Sequence, residues 1–298
     1  MTKEREEPMW NVRFAVTSSK DGSPALPAMA REWAEELGAP FVPRKSLGTL
    51  EEMMEELSVD ALLIATAKGP QVFTREGTYF YHPGMGAMRW ERVRQGENDH
   101  FLASMDLRPG MRVLDATLGL GGDALIASLA VGDSGKVVGL EASPLLFFVN
   151  RMGMRDYKAK YPAMEKDLQR IEVVHGEALE YLRSLPDDSF DRVYFDPMFR
   201  RPVKGSCGMT PLRPLSWNVP LTRETVEEAL RVAPRVVIKE RSRKLLASFG
   251  CRTIGGGRYA RVQFGIRTRG DGAEPEDGNN GAGQAPYEKD RETRRGTS

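Results

Sequence analysis

From Arg112 onward the chain alternates short apolar runs with helical segments, and this rhythm limits the fold more than any other feature. The strand candidates are Arg112–Ala116, Lys136–Glu141, Ile171–His175, Asp191–Phe195, Arg235–Lys239 and Arg261–Arg267. Helical spacing occupies Gly122–Val131, Pro144–Lys160, Ala178–Ser184 and Thr222–Val232. Such alternation predicts an α/β fold with a mostly parallel sheet covered by helices on both faces. Ligands then bind at the carboxyl ends of the strands, near the point where strand order reverses. The stretch Met198–Pro220 exceeds an ordinary connection and reads as functional or disordered.

Residues 1–81 read as a smaller α/β unit. Phe14–Ser18 suits a strand, Ala25–Leu37 a helix stopped by Gly38, Leu47–Leu57 a second helix and Asp60–Ala67 a buried strand. Gln71–Arg75 and Thr78–Tyr81 suggest a hairpin around Glu76-Gly77. Met88–Leu107 is mostly helical and leads into the larger domain, residues 82–267. Residues 268–298 are rich in Gly, Pro, Asn and charge, offer little to bury, and are expected to be a disordered tail.

The net charge of +1 conceals an asymmetry. Residues 1–196 carry a net of −8, while residues 197–267 hold 15 Lys and Arg against 4 Asp and Glu, a net of +11. A basic block of that size suits a polyanion such as RNA. The longest apolar runs, Ala61–Ala67 and Pro144–Val149, fall far short of the roughly 20 residues that span a bilayer. The first ten residues lack the apolar core of a signal peptide, and two cysteines build no disulfide framework. A cytoplasmic protein with no membrane partner is expected. Three dispersed histidines, His82, His100 and His175, give no metal-site spacing, so no metal is expected.

Three motifs carry chemistry. Asp115-Ala-Thr-Leu-Gly119-Leu-Gly121-Gly122-Asp123-Ala124 follows a strand and opens a helix. Its glycines allow close backbone approach to a ligand, and Asp115 suits a cationic group but not a pyrophosphate. Glu141, at the end of the next strand, suits the two hydroxyls of an adenosine ribose. S-adenosylmethionine and NAD both carry that ribose, and the glycine spacing alone selects neither. The third motif is Phe190-Asp-Arg-Val-Tyr-Phe-Asp196-Pro197-Met198-Phe199, one residue from the Asp-Pro-Pro-Tyr/Phe loop of amino-methyltransferases. An exocyclic nucleobase amine is a poor nucleophile because its lone pair is delocalised into the ring. Asp196 and the Pro197 carbonyl can accept its N–H bonds and turn that lone pair toward a methyl donor. Phe199 can stack on the base.

This set, with VVHGEAL around Glu177, resembles the RsmJ family of 16S ribosomal RNA guanine-N2 methyltransferases, and most closely its Gram-positive relatives, which share a YHPGM-like segment. The resemblance spans about residues 80–267. It implies a Rossmann-like class I methyltransferase sheet, mostly parallel with the last strand antiparallel, and S-adenosylmethionine as cofactor. Carried over by position, the cofactor residues are Gly122, Asp123, Glu141, Ala142, Glu177, Ala178 and Asp196, and the reading of the first motif adds Asp115, Gly119 and Gly121. Gly122 and Ala142 stand where enterobacterial members have Arg, and Glu177-Ala178 replaces a Ser pair. The implied partner is RNA of the small ribosomal subunit. For substrate contacts the sequence offers His82, then Arg200, Arg201 and Lys204 in the loop after the third motif. Lys239 and Arg241, at the end of the fifth strand, join them as phosphate contacts. Competing readings are a DNA amino-methyltransferase, a nucleotide-linked oxidoreductase and a non-catalytic RNA-binding module.

Overall fold

The structure, a computed structural model, describes residues 12–20, 23–44, 48–197, 215–216, 219–257 and 260–270. Two sheets organise it. The smaller has the order β1-β2-β3-β4 and comprises Phe14–Ser18, Ala61–Thr66, Gly69–Thr74 and Gly77–Phe80. β1 and β2 run parallel, joined through helices α1 (Ala25–Leu37) and α2 (Leu50–Leu57); β2, β3 and β4 form two successive hairpins. Gly38 ends α1 in the left-handed conformation (φ 62°), the role its position suggested. The sequence reading missed that the end of Asp60–Ala67 already turns into β3.

Two helices, α3 (Met85–Arg94) and α4 (His100–Met105), connect to the larger sheet. Its strands are β5 (Arg112–Asp115), β6 (Lys136–Glu141), β7 (Ile171–His175), β8 (Arg192–Phe195), β9 (Arg235–Glu240), β10 (Thr253–Gly255) and β11 (Gln263–Thr268). Their order is β10-β11-β9-β8-β5-β6-β7. β7, β6, β5, β8 and β9 are parallel, and β11 is inserted antiparallel between β9 and β10. Strand order reverses between β5 and β8, which places the ligand crevice at their carboxyl ends. The covering helices are α5 (Gly122–Val131), α6 (Pro144–Asp156), α7 (Pro162–Gln169), α8 (Ala178–Ser184), α9 (Arg223–Val232) and α10 (Arg243–Ser248).

The helix expected over Pro144–Lys160 is shorter, and the helix that follows it, α7, was not expected. α6 ends where Tyr157 turns extended, and Pro162 opens α7 at a position where its missing N–H costs nothing. β10 and α10 went unanticipated, being short and lacking a clear period.

One apolar cluster runs through both sheets. It includes Val16, Trp33 and Leu63 from the small unit with Val113, Leu125 and Phe148 from the large one. Trp33 meets Phe148 edge-on at 5.2 Å, and Tyr81 packs over Gly153 so closely that a Cβ there would collide with its ring. The small unit is thus bonded to α6, whose first turn follows Glu141. Among the described residues no helix is long and apolar enough to cross a membrane. The tail from residue 271 lies outside the described residues.

Candidate active site

The crevice has two halves. In the first, β5 carries Asp115 into the interior, 2% exposed, and its Oδ1 accepts the Thr117 N–H at 3.1 Å. Burial, then the nearby Asp123 carboxylate, push the Asp115 carboxyl well above its usual range. The chain then turns through Gly119 (φ 51°) and Gly121 (φ 70°), both in the left-handed region. A Cβ on Gly121 would also collide with Met154, so the turn needs glycine twice over. Glu141 closes the loop from β6: Oε2 accepts the Gly119 N–H at 3.2 Å and Oε1 the Ser143 N–H at 2.9 Å. Burial pushes the Glu141 carboxyl up to about 7, against the pull of these backbone donors.

The Gly119 carbonyl is held as well. Asn150 of α6 donates to it through Nδ2 at 2.6 Å, and the Tyr79 hydroxyl of β4 donates to Asn150 Oδ1 at 2.5 Å. Asn150 is fully buried and Tyr79 nearly so. The small sheet therefore reaches the glycine loop through two side chains, neither singled out by sequence. Beside this loop, His175 Nε2 donates to the Ala142 carbonyl at 3.2 Å. Glu177 caps α8 by accepting the Glu180 N–H at 3.1 Å, and Ala178 is the first helical residue.

The second half is charged. Asp196 follows β8, and its backbone N–H donates to Thr117 Oγ1 at 2.6 Å, tying the third motif to the first. Its Oδ2 meets Lys239 Nζ of β9 at 2.7 Å. The same ammonium reaches Asp123 Oδ2 at 3.1 Å. Asp123 also accepts from the Tyr194 hydroxyl at 2.8 Å and from Arg89 of α3. Arg89 in turn forms a two-bond pair with Asp99, at 2.6 and 2.9 Å. Burial raises the Asp196 carboxyl and the Asp123 charge adds to that, while Lys239 opposes both. Asp123 itself is held low: Lys239 and Arg89 overcome its burial. α3 comes this close because its second residue is glycine; a Cβ on Gly86 would stand 3.0 Å from Gly122 Cα.

The crevice thus gathers Asp115, Gly119, Gly121, Gly122, Asp123, Glu141, Asp196, Pro197 and Lys239 around one end of the sheet. Lys239 faces inward on two carboxylates, not outward as a phosphate contact would. Arg241 is exposed just past β9 at the same edge. His82 is exposed; its Nδ1 accepts the Gly84 N–H at 2.9 Å and its ring meets Tyr157 edge-on at 5.7 Å. Phe199, Arg200, Arg201 and Lys204 lie outside the described residues. Arg89, Asp99, Tyr194 and Thr117 were missed by sequence reasoning. Only Tyr194, two residues before Asp196 on a strand and hence on its face, left a usable signal.

A cleft of about 410 Å³ flanks the charged half, lined by Arg89, Asp99, His100, Phe101, Lys239 and Phe264 among others. A second, of about 550 Å³, lies between α1 and α6 and shares no residue with the site. Among the described residues no cluster of His, Cys, Asp and Glu suits a metal ion. Two buried carboxylates at the ends of β5 and β6 suit a ribose diol and an ammonium group, and would repel a pyrophosphate. That donor set fits an adenosyl sulfonium.

Comparison with known proteins agrees. A family described as "Putative SAM-dependent methyltransferase" matches residues 81–252, more than half of the chain. "Uncharacterized protein YpiP" of Bacillus subtilis (strain 168) is 36% identical over 75% of this chain and 86% of its own length. Two proteins named "Ribosomal RNA small subunit methyltransferase J" are more distant. That of Dechloromonas aromatica (strain RCB) is 28% identical over 55% of this chain and 68% of its own length. That of Cellvibrio japonicus (strain Ueda107) is 30% identical over 62% and 69%. A glycine loop between two buried carboxylates, on a sheet of this strand order, is what such a cofactor requires, and the chain belongs to this family of S-adenosylmethionine-dependent methyltransferases.

Proposed function

We propose that the protein methylates the exocyclic N2 amine of a guanine in small-subunit ribosomal RNA, in the cytoplasm. The observation that carries the reading is Asp196-Pro197 at the carboxyl end of β8, fastened through Thr117 to the cofactor loop. The +11 block of residues 197–267 supports a polyanionic substrate, and of its described residues Arg241, Arg243 and Lys244 follow the carboxyl end of β9. The names of the two distant relatives support ribosomal RNA.

In this reading Glu141 takes the ribose hydroxyls and Asp115 faces the methionine ammonium group. Gly119, Gly121, Gly122 and Asp123 at the loop and helix start would hold the cofactor together with Ala142, Glu177, Ala178 and Asp196. When bound, S-adenosylmethionine would supply an electrophilic methyl group for the amine nitrogen, the electron pair of the carbon–sulfur bond leaving with sulfur. With Oδ2 on Lys239, Asp196 Oδ1 and the Pro197 carbonyl accept the amine N–H bonds and hold the lone pair on line. Asp196 then takes the proton that the amine must lose. Phe199 stacks on the base, which must be unpaired or flipped out to reach the site. His82, Arg200, Arg201, Lys204 and Arg241 contact the surrounding RNA.

The test is transfer of tritium from methyl-labelled cofactor to small ribosomal subunits from cells lacking the protein, followed by nucleoside analysis. Label is expected in N2-methylguanosine. Label in DNA, or in any other nucleoside with none there, removes the assignment.

A further inference from the structure

We propose that Lys239 is the positioning residue of the acceptor half, an inward-facing ammonium that holds the Asp196 carboxylate ionised and oriented. The inference rests on the reading of Asp196 as the group that accepts the amine. Its basis is the strand register. Phe195 pairs with Ile238 across the parallel β8–β9 ladder, which brings the next residues, Asp196 and Lys239, side by side. Period-two alternation puts Tyr194, Asp196, Val237 and Lys239 on one sheet face, where Tyr194 also meets Asp123.

Three carboxylates converge there: Asp115 from β5, Asp123 from α5 and Asp196 from β8. Asp196 further feels the Glu240 charge from β9. A carboxylate in such company takes up a proton unless a cation is fixed beside it. Arg89 neutralises Asp123 from the α3 side and is itself anchored by Asp99. Lys239, its side chain 23% exposed, is the bridge between Asp123 and Asp196. A protonated Asp196 would present an O–H to the amine in place of an acceptor, and would have no room for a second proton. The inward-facing ammonium thus serves the chemistry and not the RNA backbone.

The test is a carbon-13 NMR titration of the Asp196 carboxyl in the full chain, with the signal assigned by its loss in Asp196→Asn. In Lys239→Met the midpoint is expected about 1–3 pH units higher than in the parent protein. Lys239→Arg should restore it. Asp123→Asn removes a like charge and leaves Lys239 to Asp196 alone, so the midpoint should fall; this arm stands if Lys239→Met does not fold. An Asp196 midpoint unchanged in folded Lys239→Met, or unmoved or raised in Asp123→Asn, overturns the proposal. With an active acceptor, the acid limb of the pH–rate profile should move with the midpoint in each variant. The titration needs no RNA. A midpoint that shifts as stated while no guanine is methylated would sink the substrate reading and leave Lys239's role standing.

Discussion

The two halves of the crevice solve the same problem, holding a carboxylate inside a protein, by different means. Glu141 is stabilised by neutral donors, the N–H groups of Gly119 and Ser143, and no basic side chain approaches it in the described contacts. Asp196 sits among charges, with Lys239 on one oxygen and Asp123 beyond it. A neutral cradle leaves the carboxylate with an unmet demand for charge, which a cationic cofactor with two ribose hydroxyls satisfies. A cation-bridged cradle meets that demand in advance, so that the carboxylate is an acceptor before any substrate arrives. The first arrangement favours binding and the second favours a fixed geometry at the reacting atom, where preorganisation matters most.

The contrast is broken most strongly at Asp196. Asp196→Ala should lower the rate of methyl transfer by about 10²–10³-fold, the usual cost of deleting one preorganised polar group at a reacting atom. Affinity for S-adenosylhomocysteine should change little, since Asp196 is tied to the cofactor loop through its backbone N–H on Thr117, which the substitution keeps. Single-turnover kinetics and calorimetry on the same preparation separate the two. Equal loss of rate and cofactor affinity would show that the halves are not independent.

Glu141 gives the next largest effect, and it is in binding. Glu141→Ala should weaken cofactor binding by about 1.5–3 kcal/mol, the worth of hydrogen bonds to a charged group. The pH dependence follows from its carboxyl standing near 7. A ribose hydroxyl donates best to the ionised form, so affinity should rise as pH climbs through about 7 and fall below it. Binding near pH 7 should release a proton, visible as a buffer-dependent heat. Because the folded value lies above the unfolded one, Glu141 contributes instability to the cofactor-free protein as pH rises from about 4.5 to 7. Glu141→Gln should flatten both profiles; a parent protein whose cofactor affinity is flat from pH 6 to 8 contradicts the neutral-cradle account.

The charged half should extend outward into the RNA contacts. Reversing Arg200, Arg201 and Lys204 together should make the log–log salt slope of RNA binding shallower by about 2, at roughly 0.7 per phosphate on a single strand. Between 50 and 200 mM salt that difference amounts to about 20-fold in affinity. Cofactor binding should not respond. An unchanged slope, measured by filter binding across salt, assigns the phosphate contacts elsewhere on the basic block.

Much of this was legible in the sequence, and the reasons are local. β6, β7, α5 and α8 occupy the residues their periodicity indicated, because an apolar run ended by glycine, serine or proline has few alternatives. Asp115, Glu141 and Asp196 were found because each ends such a run. The antiparallel last strand came from the resemblance alone. The partners of these residues were not visible. Lys239 was expected outward because a basic residue at a strand end usually is; only register against β8 reveals that it faces Asp123 and Asp196. Arg89 lies in a helix whose sequence carries no motif, and its reach to Asp123 depends on Gly86 allowing α3 onto the start of α5. Contacts between residues far apart in the chain leave no periodic trace. The same holds for Phe14–Phe80, where strands and helices could be placed but not the purpose of the unit.

The smallest expected effect addresses that purpose. Tyr79 is the end of a chain of bonds from β4 through Asn150 to the Gly119 carbonyl, while Glu141 holds the N–H of the same glycine. The Gly119 peptide group and nitrogen are thus fixed from both sides, once by the small sheet and once by the large one. Tyr79→Phe keeps the ring packed and removes only the donor, leaving the buried Asn150 Oδ1 without it. The net worth of one such bond is about 0.5–1.5 kcal/mol, which corresponds to roughly 2- to 12-fold if it is expressed in cofactor affinity. A merely structural bond would lower the melting temperature and leave cofactor affinity intact. A bond that positions the loop should weaken affinity beyond what the stability loss accounts for. Asn150→Ala should reproduce the effect, and the double variant should cost less than the two singles together, since both act on one carbonyl. Strictly additive effects, or full cofactor affinity in Tyr79→Phe, would separate the small sheet from the cofactor site and confine it to packing against α6.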